Sequence, residues 1–109
     1  MAELVTTGVW MVTSDKEAAF VEAWASFAAW ASAHPGAGQL RLGRDTGEPH
    51  RFVSYGAWEG ADAVRAWKSS PEFRERMAQV LQYVDDFRPT ELAVVSIALT
   101  GTSPVPQES

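Results

Sequence analysis

Two hydrophobic periodicities alternate along this chain, and their order limits the fold more than any other feature. Segments rich in β-branched and aromatic residues, such as LVTTGVWMV at 4–12, are typical of strands. Other segments repeat apolar residues every three or four positions, as Phe20, Trp24 and Phe27 do, which is typical of helices. In chain order, the predicted elements are a strand at 4–12, a helix from about 17 to 34, strands at 38–44 and 50–58, a short helix at 60–69, a helix from Pro71 to Arg88, and a strand at 91–99.

The order β-α-β-β-α-β predicts a ferredoxin-like α+β fold, with one four-stranded antiparallel sheet and the helices on one of its faces. The second helical segment is interrupted at Ser70-Pro71. Serine suits the N-cap position and proline the first helical turn, so a new helix is predicted to begin there. Ser14 and Glu17 have the spacing of a capping box, which predicts the start of the first helix.

Length and composition exclude several classes of protein. A chain of 109 residues fits a single domain, predicted here at 1–99, followed by a flexible tail at 100–109 that is rich in Pro, Ser and Thr. The absence of cysteine excludes disulfides and cysteine-zinc sites. A net charge of −5 with no basic patch argues against a nucleic-acid partner. No apolar run reaches about 18 residues and no basic leader is present, so we expect a cytoplasmic protein without a membrane partner.

The predicted last strand is apolar on both faces. Leu92 and Val94 would lie on one face, with Val95 and Ile97 on the other. The predicted helices cover only one face of the sheet, so something else must cover the second. We therefore expect a two-fold homodimer in which the open sheet faces pack together.

Two neighbouring segments carry a family resemblance. The strand FVSYGAWE at 52–59, followed by WKSSPEF at 67–73, resembles the antibiotic biosynthesis monooxygenase family. In element order the resemblance extends over about residues 4–99, and its residue-level support lies in 52–77. It implies a dimeric α+β barrel. The family's superfamily hosts several activities, so the motif indicates the fold more than the chemistry.

The resemblance implies one of two main activities. One branch oxidises polyketide anthrones with molecular oxygen and no cofactor, and the other degrades heme. The heme-degrading branch uses an Asn on the first strand, a helical Trp and a His ten residues later. Trp67 matches that Trp, but Met77 stands at the His position and the chain has no asparagine. In the cofactor-free branch Trp58 matches a pocket Trp, and Ser54 stands where a related member has Asn. We therefore expect no cofactor.

Strand alternation predicts where a pocket would lie. His50, Phe52, Ser54, Gly56 and Trp58 fall on one face of their strand, and the small Ser54 and Gly56 leave room beside the aromatic residues. An apolar slot with few polar groups is typical of a small-molecule site. The alternative is that the aromatic residues simply fill the core. The helical residues expected to wall the slot and bind substrate are Trp24, Phe27, Trp67, Phe73 and Met77, with Phe52 and Gly56 from the strand.

Three residues are candidates for catalysis. His50 is a candidate base because an imidazole exchanges protons near neutral pH. Ser54 could donate a hydrogen bond to a substrate oxygen, and the resemblance implies a role for Trp58. The leading hypothesis is a cofactor-independent monooxygenase that acts on an aromatic polyketide-like anthrone or phenol. The alternatives are a non-catalytic dimer that binds small aromatic ligands, and a non-oxidative cyclase or isomerase. No metal site is predicted.

Overall fold

The computed structural model describes residues 3–98, and these form a ferredoxin-like α+β fold. The four strands make one antiparallel sheet in the order β2-β3-β1-β4, and the sheet is not closed into a barrel. The fold class predicted from the element order is therefore confirmed. The elements are β1 (Leu4–Val12), α1 (Glu17–Ala31), β2 (Ala37–Arg44), β3 (Arg51–Trp58), α2 (Ala61–Lys68), α3 (Pro71–Leu81) and β4 (Val84–Ala93). The predicted tail at 100–109 lies outside the described residues.

The two predicted helix starts have different outcomes. α3 begins as predicted, because the Ser70 hydroxyl accepts a hydrogen bond of 3.2 Å from the backbone N–H of Phe73. The prediction of a capping box at α1 is wrong, because Lys16 is the N-cap residue of this helix and no side chain caps it. Glu17 instead forms an ion pair with His50, with 2.7 Å between Oε2 and Nδ1. Its carboxylate is thus used to join α1 to the turn before β3.

The predicted boundaries of the last helix and the last strand are also wrong. α3 ends at Leu81, and β4 begins at Val84, which the helical spacing had assigned to the helix. The Arg88-Pro89 step lies inside β4 and does not end a helix. A proline is tolerated there because β4 is an edge strand, where one side of the backbone has no ladder partner. The expected strand at 91–99 ends at Ala93.

The helices cover one face of the sheet, and the core lies between the two layers. Along β1, the buried residues Trp10 and Val12 alternate with the half-buried Val9 and Met11. The buried cluster consists of Trp10, Val12, Phe20, Trp24, Phe27, Ala31, Phe52, Trp58, Val64, Trp67 and Val80. Four aromatic pairs formed wholly within this cluster have ring centroids 4.5–5.9 Å apart, so aromatic packing dominates the core.

The opposite face of the sheet has no helix over it among residues 3–98. Val9, Met11 and Val53 lie on this face and are half-buried. Of the apolar residues expected on both faces of a last strand, Leu92 lies in β4, but the others lie beyond it, where Val95 is 92% and Ile97 is 64% exposed. No helix within the described range is long and apolar enough to cross a membrane.

Candidate functional site

A cavity of about 180 Å³ lies between the sheet and the helices. Seven of the residues predicted for the site line it. Ser54 and Gly56 contribute from β3, and the aromatic or thioether wall consists of Trp24, Phe27, Trp67, Phe73 and Met77. The lining is largely apolar, with a few polar groups, which is the composition of a small-molecule site.

Three predicted site residues lie outside the cavity lining. His50 is bound to Glu17 at the start of β3, and Phe52 packs on Phe20 with ring centroids 5.1 Å apart. Trp58 stacks on Trp67 with centroids 4.5 Å apart, and its Nε1 donates a hydrogen bond of 3.2 Å to Thr6 Oγ1. In this arrangement Trp58 supports two residues of the lining, Trp67 and Thr6.

The sequence reasoning missed the contribution of the other strands. Thr6, Gly8 and Trp10 line the cavity from β1, and Phe87 and Pro89 line it from β4. The β1 residues could have been found, because β1 alternates with the same period as β3. The β4 residues could not, because their segment had been assigned to the end of a helix.

Ser54 contributes a hydroxyl group to the lining of this cavity. It is buried, and its Oγ accepts a hydrogen bond of 2.9 Å from Trp10 Nε1. A hydroxyl group both accepts and donates, and no acceptor for the Ser54 proton is found among residues 3–98. Trp10 is itself held by stacking on Phe87, with centroids 4.0 Å apart. The Ser54 hydroxyl is therefore fixed in place with its proton available to a ligand.

Two glycines keep the cavity open. A Cβ atom at Gly8 would lie 2.7 Å from Phe87 Cε1 and 3.1 Å from Ser54 Oγ. A Cβ atom at Gly56 would lie 3.0 Å from Leu40 Cγ. At these distances the neighbouring side chains would have to move. The space beside Ser54 therefore depends on the absence of a side chain at Gly8 and Gly56.

Trp67 forms the centre of the aromatic wall. Besides its stacking on Trp58, it meets Phe73 edge-on with centroids 5.0 Å apart and Phe27 at 5.9 Å. Its Nε1 is buried and has no hydrogen-bond partner in the described part of the chain. Close contacts on several sides restrict the ring, so the wall presents a fixed apolar surface to a ligand.

Comparison with known proteins identifies the family. The family model for antibiotic biosynthesis monooxygenases matches residues 4–79. The chain belongs to the antibiotic biosynthesis monooxygenase family. No curated protein matches it in sequence.

Solved structures of this family share the fold. SnoaB of Streptomyces nogalater, a cofactor-independent oxygenase, superposes with a TM-score of 0.81 at 18% identity, over 89% of this chain and 97% of that one. A protein of Nitrosomonas europaea named for the family superposes at 0.77 with 21% identity, over 86% and 91%. One from Deinococcus radiodurans gives 0.79 with 13% identity, over 88% and 96%. At these identities the likeness establishes the fold, and family membership supports a monooxygenase-type function.

Charged groups are sparse at the site of this family member. Lys68 is the one charged residue in the cavity lining, and its Nζ lies 2.7 Å from Glu91 Oε2. Neither histidine lines the cavity, since His34 Nδ1 lies 3.3 Å from the Trp30 carbonyl oxygen at the end of α1. Within residues 3–98, no group of three potential metal ligands is found.

The pair of Glu17 and His50 is the main ionic contact outside the cavity that involves a predicted site residue. The backbone N–H of Glu17 donates to its own carboxylate, and this hydrogen bond, followed by the one from His50, holds the pKa of Glu17 below its ordinary value. Partial burial acts in the opposite direction but does not outweigh them. As placed here, the pair links α1 to β3 and does not face a ligand in the cavity.

Proposed function

We propose that this protein is a cofactor-independent monooxygenase that oxidises an aromatic polyketide-like anthrone or phenol with molecular oxygen. The observation that carries the proposal is the buried Ser54 hydroxyl, which Trp10 holds at the edge of an apolar aromatic cavity with its proton free. Family membership and the fold shared with an oxygenase support the reaction class.

The reaction asks little of the protein. An anthrone loses a proton to give an electron-rich anion, which passes electrons to oxygen. The ring CH₂ becomes C=O, one atom of O₂ enters the product, and the other leaves as water with the two hydrogens. The substrate supplies all four electrons, so no external reductant is needed. The protein provides a dry slot and a hydrogen-bond donor for the developing oxyanion, which is the role of Ser54.

The proton acceptor is a separate question. The cavity lining contains no histidine or carboxylate, so the substrate proton passes to solvent or to a group outside the lining. A donor at the oxyanion lowers the basicity needed, because it stabilises the ionised form of the substrate. His50 stays a predicted base, and it would have to leave Glu17 to reach the cavity.

An aerobic and an anaerobic assay with purified protein and dithranol test the proposal. We expect quinone only in the presence of oxygen, with one O₂ consumed per quinone formed, as followed by absorbance and an oxygen electrode. Product without oxygen would instead indicate a cyclase or isomerase. Tryptophan quenching by dithranol with no rate above the spontaneous background would indicate a binding role. Either result contradicts the oxygenase.

Variants of Ser54 test the site itself. Ser54→Ala should lower kcat about tenfold or more, because one donor to the oxyanion is lost. Ser54→Thr keeps a hydroxyl and should retain more activity. Ser32→Ala is the matched control, because Ser32 is exposed and bonds only the Ala29 carbonyl oxygen. Activity that survives Ser54→Ala unchanged would remove the oxyanion role.

We further propose that the protein acts as a homodimer in which a second copy packs on the open face of the sheet. The support is chemical: Val9, Met11 and Val53 lie on that face, and helices cover only the other one. Leu92 of β4, which pairs with Val5 on this face, is 49% exposed. A second copy of the chain presents the same apolar residues and is therefore a matching partner.

A further inference from the structure

The lining of the cavity indicates the charge of its ligand. We propose that Lys68 makes it a site for aromatic anions, with the aromatic ring in the apolar slot and an oxyanion substituent at the mouth beside the Lys68 ammonium group. This inference deepens the proposed function. It rests on that function in one respect, because both place the ligand in the same cavity.

Lys68 lies where the cavity meets the protein surface. It is the last residue of α2, and its side chain is 33% exposed. Besides the cavity, it lines a surface depression with Phe73 and Met77, and another with Val64. Because Phe73 and Met77 also line the cavity, Lys68 lies at the boundary between the apolar interior and solvent.

The charge of Lys68 is not balanced within the cavity. Glu91 Oε2 lies 2.7 Å from Nζ, but Glu91 is outside the lining and is 44% exposed. An ammonium group has three N–H donors, and Glu91 takes one of them. Glu91 lies on β4 opposite Thr6, which does line the cavity, so the ion pair holds the ammonium group at this end of the slot. Two donors are left to bind an anionic substituent.

The rest of the lining favours an anion over a cation or a strong hydrogen-bond donor. It contains no carboxylate or imidazole to accept a proton, whereas the Ser54 hydroxyl has a proton to give. The chain as a whole has a net charge of −5, so a local cation is needed to attract an anion to this place. The ligand class that matches is a flat aromatic ring with a carboxylate or an ionised phenol.

The size of the cavity guides the choice of probe. A buried apolar cavity of about 150 Å³ accepts benzene. The 180 Å³ found here therefore accommodates at least one ring, with its substituent at the mouth. 4-Nitrobenzoate and 4-nitrobenzamide have nearly the same shape and differ by one charge, and their nitro groups quench tryptophan fluorescence. Trp10, Trp24 and Trp67 line the cavity and report binding.

The experiment titrates both probes against the full chain and its variants at pH 7. We expect the wild type to bind 4-nitrobenzoate about fivefold more tightly than 4-nitrobenzamide, because water partly screens a cation that is one-third exposed. Lys68→Met should abolish this preference, and Lys68→Arg should keep it. Raising the salt concentration should reduce it in the wild type, because ions screen a charge near the surface.

Glu91→Gln is the matched control. It breaks the same ion pair as Lys68→Met but leaves the ammonium group in place. We expect the preference for the anion to persist or increase in this variant. An equal loss in Lys68→Met and Glu91→Gln would show that the pair acts structurally and would overturn the proposal. An unchanged preference in Lys68→Met, or no binding of either probe, would overturn it too.

A phenol tests whether the anionic substituent can be an ionised hydroxyl group and not only a carboxylate. 4-Nitrophenol absorbs differently when ionised, so its pKa in the complex can be read by titration. We expect a lower pKa when it is bound to the wild type than to Lys68→Met. These binding measurements need no turnover: a charge preference without dithranol oxidation sinks only the oxygenase, and dithranol oxidation without the preference sinks only the role of Lys68.

Discussion

Trp10 Nε1 donates a buried hydrogen bond of 2.9 Å to Ser54 Oγ, across the neighbouring strands β1 and β3. The two residues are not directly opposite: Trp10 pairs with Phe52, and Ser54 pairs with Gly8. The indole therefore reaches diagonally across the sheet, over the space that a side chain at Gly8 would fill. One bond thus satisfies a buried donor and fixes the orientation of the hydroxyl that faces the cavity.

The first prediction concerns the energy of this bond. Ser54→Ala leaves Trp10 Nε1 without an acceptor, and we expect it to lower the free energy of unfolding by about 1–3 kcal/mol. Trp10→Phe removes the donor as well as part of the ring. In a double-mutant cycle measured by urea denaturation, the two changes should couple by about 1 kcal/mol. Strictly additive costs would show that the bond adds nothing to stability.

The second prediction concerns Gly8. In Gly8→Ala the new methyl group would meet Phe87, Trp10 and Ser54 at 2.7–3.1 Å, so these side chains must move. We expect a loss of about 1–3 kcal/mol in the free energy of unfolding and weaker quenching by aromatic ligands. Urea denaturation and the fluorescence titration measure the two effects.

Gly43→Ala provides the matched control for Gly8. Gly43 is also a strand glycine, but the nearest atom to its added Cβ, Val53 O, is 3.9 Å away. Its substitution should change the free energy of unfolding by no more than about 0.5 kcal/mol and leave ligand binding intact. If both variants lost stability equally, strand flexibility and not the space beside Ser54 would explain the effect.

The part of the fold that local patterns determine could be predicted from the sequence. Turn residues and alternating strands located β2 and β3 to within a residue, and Ser70-Pro71 located the start of α3. The end of the chain was predicted wrongly because Val84 continues the helical spacing of α3 by coincidence, and proline usually ends a helix. Only the pairing of β4 with β1 decides otherwise, and that is a long-range contact.

The candidate site divides in the same way. Strand alternation correctly located Ser54 and Gly56 on the helix-covered face, since this depends only on β3 itself. It could not reveal which partner Ser54 has, because Trp10 comes from another strand. It also placed His50 beside Ser54 in the site, whereas His50 precedes β3, is bound to Glu17 of α1 and lies outside the cavity lining. Side-chain pairing across elements is the information that the local pattern lacks.

The third prediction concerns acid stability. The pKa of Glu17 is lowered in the folded protein, first by its own backbone N–H and then by His50, whereas the unfolded chain has the ordinary value of 4.5. Ionised Glu17 therefore stabilises the fold above this value, and the contribution is lost as pH falls through the lower, folded pKa. Glu17→Gln should lower the urea midpoint at pH 6 and have little effect at pH 3.

Glu22→Gln serves as the control for this prediction. Glu22 is an exposed carboxylate of the same helix. The difference in urea midpoint between wild type and Glu22→Gln should change less between pH 6 and pH 3 than the difference for Glu17→Gln. If both variants showed the same dependence on pH, general charge repulsion and not the contacts of Glu17 would be responsible.

The fourth prediction tests the proposed dimer with two valines. Val9 lies in the middle of the open sheet face, on a central strand, between Val53 and Arg88. In a two-fold dimer, Val9→Glu would bury one additional carboxylate from each copy in the interface, so we expect the dissociation constant to rise at least about tenfold. Val21→Glu makes the same change on the outer side of α1, where Val21 is 40% exposed, and should leave the dimer intact.

Sedimentation over a range of concentrations compares the three proteins. A wild type that stays monomeric throughout, or a Val9→Glu variant as dimeric as Val21→Glu, would show that the open face is not the contact between copies.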